Sequence, residues 1–210
     1  SEKSAGSSIT LTANASFYQV YSGTLTLLYN ANGGSSTPTS QTTTQYYNAN
    51  GSASEHTFTL ANAISQTGYV FNKWASGGVN GTQYAAGGSV KISVNTTFYA
   101  TWNPNTDTKY KVEHYVMSTS GAYPATATHS EDLVGTTAST LTLANLKKSS
   151  YEVANGIAYS YGQVGGTTVT TTTIKGDGSL VVKLYYARSS YAITVNKASG
   201  DKGINTVTGG

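Results

Sequence analysis

Hydrophobic and polar residues alternate with period two along most of this 210-residue chain and seldom recur at helical spacing. TLTLLYNANGG (24–34) sets Leu25, Leu27 and Tyr29 against Thr24, Thr26 and Leu28. That is a strand with one buried face, and Asn32-Gly33-Gly34 after it supplies the positive φ angles of a tight turn. In the polar, Thr-rich stretch that follows, Gln41 to Tyr47 reads as a second extended segment. HTFTLANAI (56–64) places Phe58 and Leu60 on one face, and QTGYVFNKWAS (66–76) carries Tyr69, Phe71 and Trp74. Val90, Ile92, Val94, Phe98, Ala100 and Trp102 all fall on even numbers, which predicts one continuous strand with a single buried face. Trp74 and Trp102 each end an apolar alternation, so both are expected in the core, with Tyr69, Phe71 and Phe98 as further anchors.

The pattern repeats. SSITLTANASFYQVYSG (7–23) aligns without a gap on GSVKISVNTTFYATWNP (88–104), Ile9 on Val90 and Asn14 on Asn95, at a constant offset of 81. A fixed period is the signature of tandem modules. STLTLANLKKSSYEV (139–153) echoes HTFTLANAISQTGYV (56–70), Leu143 on Leu60, which suggests that a second module shares the scaffold of the first. Asp177-Gly178 forms a hairpin turn between TTVTTTTIK and SLVVKLYY, and SYAITVNKASG (190–200) reads as another opening strand. The expected organisation is therefore a closing strand of a preceding repeat (1–22), one domain over 23–104, another over 105–188, and an opening strand (189–210).

NANGG, TGYVFNKW, GTQYAAGG and TTFYATW, in that order, resemble the Listeria–Bacteroides (internalin B-type) repeat over 23–104, with Lys73 standing where Gly is commoner. YKVEHY and the closing DGSLVVKLYY, over about 107–188, resemble the mucin-binding-protein-like repeats that often accompany it. These resemblances imply a mostly β fold: tandem small β-grasp-like domains with little helix, α+β at most. They also imply an extracellular, cell-surface location through a larger parent protein.

Composition narrows the function. Only 10% of residues are charged, the net charge is +3, and there is no cysteine. That excludes a disulfide framework and a zinc–thiolate site, and gives no nucleic-acid footprint. No apolar run is long enough to span a membrane. Catalysis needs convergent acids, bases or nucleophiles, and few are on offer. Glu131-Asp132 reads as a solvated loop pair. His56, His114 and His129 have no metal-ligand spacing, and His114 reads as a hydrogen-bonded core residue. No catalytic residue, cofactor or metal is expected.

Two further readings concern named side chains. Lys111, Glu113 and Lys183 are candidates for a spontaneous isopeptide bond, with cross-strand charge pairing as the simpler account. Tyr159, Tyr161 and Tyr185 are candidates for stacking on a glycan or a host surface protein. The expected function is a non-catalytic stalk or spacer of an adhesin-type surface protein. The alternatives are a glycan- or host-protein-binding module, or head-to-tail self-association through strands 7–22 and 190–210.

Overall fold

The computed structural model describes residues 21–48, 50–152 and 156–189; segments 7–20 and 190–210, the greater part of the self-association reading, lie outside them. The chain divides into two compact units with a boundary between Trp102 and Asn103, Thr67–Val70 falling with the second. The first contains β1 (Tyr21–Asn30), β2 (Gln41–Tyr47), β3 (His56–Thr59), β4 (Tyr69–Ser76), β5 (Gln83–Tyr84), β6 (Ser89–Ile92) and β7 (Thr96–Pro104). Tyr21 and Ser22, which the sequence alignment places in a preceding strand, belong to β1 and pair with Tyr47 and Tyr46 of β2. The second contains β8 (Thr108–Val116), β9 (His129–Gly135), β10 (Thr140–Thr142), β11 (Ile157–Val164), β12 (Thr167–Thr168), β13 (Thr171–Thr173) and β14 (Val181–Arg188). Among the described residues its helical elements include a 3-10 turn at Leu143–Leu146 and one short helix, α1 (Ser149–Glu152).

Both units have one topology. The first sheet has the order β2-β1-β7-β4-β5 and the second β9-β8-β14-β11-β12, each with a separate two-stranded ribbon, β3-β6 or β10-β13. The outer hairpins are antiparallel, whereas β1 runs parallel to β7 and β8 parallel to β14. A central parallel pair of first and last strands, flanked by two hairpins, is the β-grasp arrangement, with the ribbon standing where a long helix is usual. The fold is mostly β, as the periodicity requires.

Alternation decides which face is buried. Leu25, Leu27 and Tyr29 of β1 pack with Phe58, Leu60, Trp74, Val90, Ile92, Phe98 and Ala100. In the second unit Val112, Leu143, Ile174, Leu180, Val182, Leu184 and Tyr186 do the same. The two LAN segments do equivalent work: Leu60 and Leu143 are both buried, and their N–H groups donate to Gly88 O (2.8 Å) and Thr170 O (2.9 Å). Among the expected anchors, Trp74 and Phe98 are fully enclosed, while Phe71 and Trp102 are half-buried against the core. Phe71 meets Trp102 edge-on at 5.7 Å. Tyr69 lies outside this core.

Two sequence expectations are corrected. The even-numbered run 90–102 is two strands in two sheets, and Val94 between them is 66% exposed. Parity persists across the break, which is why it mimics one strand. The buried Gln45 amide reaches across from β2 to hydrogen-bond Ser93 O at this crossing. Likewise, Asp177-Gly178 does form a turn, Gly178 N–H donating to Lys175 O at 3.0 Å. The strands it joins are not a hairpin, because β13 pairs with β10 and β14 with β8 and β11.

The NANGG motif has a local explanation. Asn32 and Gly33 both have positive φ (45° and 89°), and Asn32 Nδ2 donates to Ala100 O at 3.0 Å. Trp102 Nε1 in turn donates to Asn32 O at 2.9 Å. A Cβ on Gly34 would lie 2.9 Å from the Trp102 ring, so a side chain there would displace the indole.

Both tryptophans lie in the first unit, so their fluorescence reports on that unit alone. Leu60→Ala is expected to destabilise it by about 2–5 kcal/mol, and Leu143→Ala to destabilise the second unit by a similar amount. In urea titrations Leu60→Ala should lower the tryptophan midpoint, whereas Leu143→Ala should lower only the tyrosine and circular-dichroism midpoint.

Candidate functional site

The chemistry-bearing side chains of the second unit gather on the two faces of β8 and β14. Alternation sends Tyr110, Val112 and His114 inward and Lys111, Glu113 and Tyr115 outward. In the parallel register His114 lies opposite Leu184, Tyr115 opposite Tyr185 and Glu113 opposite Lys183.

On the inner face His114 is completely buried, and its Nδ1 lies 2.9 Å from the Tyr186 hydroxyl. That hydroxyl also accepts the Lys148 N–H at 3.1 Å. Glu131 Oε1 is 3.2 Å from Nε2 but off the hydrogen-bond direction, and Nε2 has no hydrogen-bond partner. The strong partner of Glu131 is Lys148, 2.8 Å from Oε2. Tyr151 of α1 meets His114 edge-on at 5.2 Å and stacks on His129 at 4.8 Å. Burial holds the His114 imidazole below its ordinary range, against the opposing pull of Glu131. Lys148 holds the Glu131 carboxyl low, and burial pushes the Tyr186 phenol up to about 12. The sequence expectation for His114, a hydrogen-bonded core histidine, matches this environment. Glu131 and Asp132 are not a loop pair but part of β9: Glu131 faces His114 and Lys148, and Asp132 faces Lys111.

The outer face carries a tyrosine ladder. Tyr161 stacks on Tyr185 (4.6 Å between ring centroids, 16° between planes) and Tyr185 on Tyr115 (5.0 Å, 17°). Tyr123, from the β8–β9 loop, meets Tyr185 edge-on at 5.0 Å. The ring spacing is that of neighbouring strands, about 4.7–4.9 Å, so the rings stand side by side and spend their faces on one another. Tyr115 donates its hydroxyl to Glu113 Oε2 (2.9 Å), and Lys183 Nζ lies 5.4 Å from the Tyr115 ring centroid and 3.8 Å from Glu113.

These placements redistribute the candidates. Tyr161 and Tyr185 come together, but Tyr159 does not join them. A β-bulge between Tyr159 and Tyr161 turns two residues of equal parity to opposite faces, and Tyr159 packs toward Tyr186 at 6.1 Å. Lys111 pairs with Asp132 at 3.3 Å and Lys183 with Glu113. Both amines stand on side chains about two-fifths exposed (42% and 41%), without the buried setting that amide formation requires. Cross-strand charge pairing accounts for them. The sequence reading missed Tyr115 and Tyr123, whose part in the ladder depends on the parallel register and on a loop. It also missed Lys148 and Tyr151, which reach the sheet from the crossover. Among the described residues no group of three His, Asp or Glu side chains could hold a metal.

Outside the chain itself, the sequence profile of the Listeria-Bacteroides repeat domain matches residues 26–101. No curated protein matches the chain.

The buried imidazole makes stability depend on pH. As pH falls through about 6.5, the unfolded chain takes up a proton at His114 that the folded unit resists, so stability present above that pH is lost toward the lowered folded pKa. The urea midpoint of the second unit, followed by circular dichroism from pH 8 to pH 5, is expected to fall. In His114→Gln, which keeps a hydrogen-bond partner for Tyr186, this decline should flatten.

Proposed function

We propose, for a chain whose residues 26–101 match the Listeria-Bacteroides repeat domain, that it is a non-catalytic spacer segment in the stalk of a large adhesin-type surface protein. The repeat family is one of extracellular surface-protein modules. The observation that carries the reading is the recurrence of one seven-strand topology in both units. That recurrence supports taking the second unit as a companion repeat of the mucin-binding-protein-like kind.

The side chains that raised other readings support this one. Glu131 and Lys148 are paired with each other, His114 Nδ1 is held by Tyr186, and the imidazole is fully enclosed. The tyrosines of the outer face are stacked on each other, so a sugar ring finds few free faces there. Among the described residues no helix is long and apolar enough to cross a membrane, and attachment to the envelope is assigned to other parts of the parent protein.

The test is a substitution in the displayed parent protein. Exchanging this segment for unrelated β-domains of equal length should preserve surface display and attachment, whereas deleting it should weaken attachment by shortening the stalk. In parallel, the purified chain should show no saturable binding on arrays of mucin-type glycans and host matrix proteins. Saturable binding that is lost in Tyr161→Ala or Tyr185→Ala would overturn the spacer reading in favour of a ligand-binding module.

A further inference from the structure

A stalk that joins an envelope to a tip is pulled along its length, and the following inference rests on that reading. In each unit the first and last strands are adjacent and parallel at the centre of the sheet. The chain therefore enters at one end of the pair and leaves at the other. Tension between those points drags the two strands lengthwise past each other, so their backbone hydrogen bonds are loaded together rather than opened in succession. We propose that each unit is a load-bearing clamp, and that the second is the stronger.

The side chains are placed as such a clamp requires. In the first unit the parallel register runs from Leu27↔Thr96 to Asn30↔Tyr99. Side chains fasten both its ends: Thr26 N–H donates to Asn95 Oδ1 at 2.8 Å, while Asn32 Nδ2 reaches Ala100 O and Trp102 Nε1 reaches Asn32 O. The Asn of NANGG and the Trp of FYATW thus act as ties between the two load-bearing strands. In the second unit the register is longer, from Lys111↔Val181 to Val116↔Tyr186. Three further contacts join the same two strands: the His114–Tyr186 hydrogen bond inside, the Tyr115–Tyr185 stack outside and the Glu113–Lys183 pair beside it. Tyr161 braces Tyr185 from β11.

Single-molecule force spectroscopy on the whole 210-residue chain, held through handles at its two ends, tests the proposal, because forced unfolding reads the unfolding barrier directly. Two rupture events are expected. The earlier should release the length of Tyr21–Pro104, at about 3.3–3.6 Å per residue, and the later, at higher force, the length of Thr108–Arg188. The chain has no cysteine, so thiol handles attach only where they are introduced. Thr106→Cys with Ser179→Cys moves the pull to exposed positions just before β8 and β14, at the same end of the parallel pair. The pair is then peeled, and the rupture force of the second unit should fall severalfold. Tyr185→Ala, pulled from the ends, should lower the later event and leave the earlier one in place.

Equal forces in the shearing and peeling geometries would overturn the clamp. A first-unit event at the higher force, or a second event unmoved by Tyr185→Ala, would overturn the ranking. Ligand binding by the purified chain would instead sink the spacer reading and leave the measured forces standing, so the two failures are distinguishable.

Discussion

The parallel pairing of first and last strands is the constraint from which the rest of each unit follows. Parallel neighbours cannot be joined by a tight turn, so everything between them has to act as a crossover. Each crossover contributes the outer hairpin on the far side of the sheet and carries a short LAN segment over one face. Leu60 and Leu143 are the pegs of those crossovers, and the ribbons β3-β6 and β10-β13 hold them down by backbone hydrogen bonds. A domain this small has little interior to work with. Fastening its crossover at one buried leucine and one ribbon is an economical way to close a core without a long helix.

Comparison of the two units shows how the same task is met by different residues. In the first, the Tyr29 hydroxyl on the opening strand accepts the Ala61 N–H from the crossover at 2.7 Å, and Gln41 also donates to it. In the second, the Tyr186 hydroxyl, on the closing strand, accepts the Lys148 N–H. The aromatic anchor has moved across the central pair, from opening strand to closing strand. On the opening strand of the second unit stands His114, whose Nδ1 is hydrogen-bonded to that phenol. The buried histidine is thus the partner of the tyrosine on the closing strand. Lys148 and Glu131 complete the arrangement by keeping opposite charges together at the rim.

Period-two alternation made the strands legible: it marks the buried positions of β1 and β3. The LAN echo pointed to the topology that the two units share, whereas the 81-residue offset rests on a segment outside the described residues. Alternation carries no information about partners, however. It could not show that 90–102 switches sheets, since Gln45 and Asn95 make that break without disturbing parity. Nor could it reveal the bulge that separates Tyr159 from Tyr161, because an added residue in one strand is visible only against its neighbour. The ladder depends on a register between residues some seventy positions apart (Tyr115↔Tyr185), which no local pattern encodes.

The same register sets the order of events when the protein is made. Leu27 has to wait for Thr96, and Lys111 for Val181, before either sheet has its centre. A chain made from its N-terminal end can form the β1–β2 or β8–β9 hairpin early, but two-stranded hairpins are marginal alone. Pairing so distant in sequence is also slow. Each repeat thus stays a loose, threadable polymer until its final strand has emerged, and only then becomes a folded body. On the proposed surface-protein reading this delay is an advantage, because a repeat whose centre closes last can be moved as an open chain and fold afterwards, one repeat at a time.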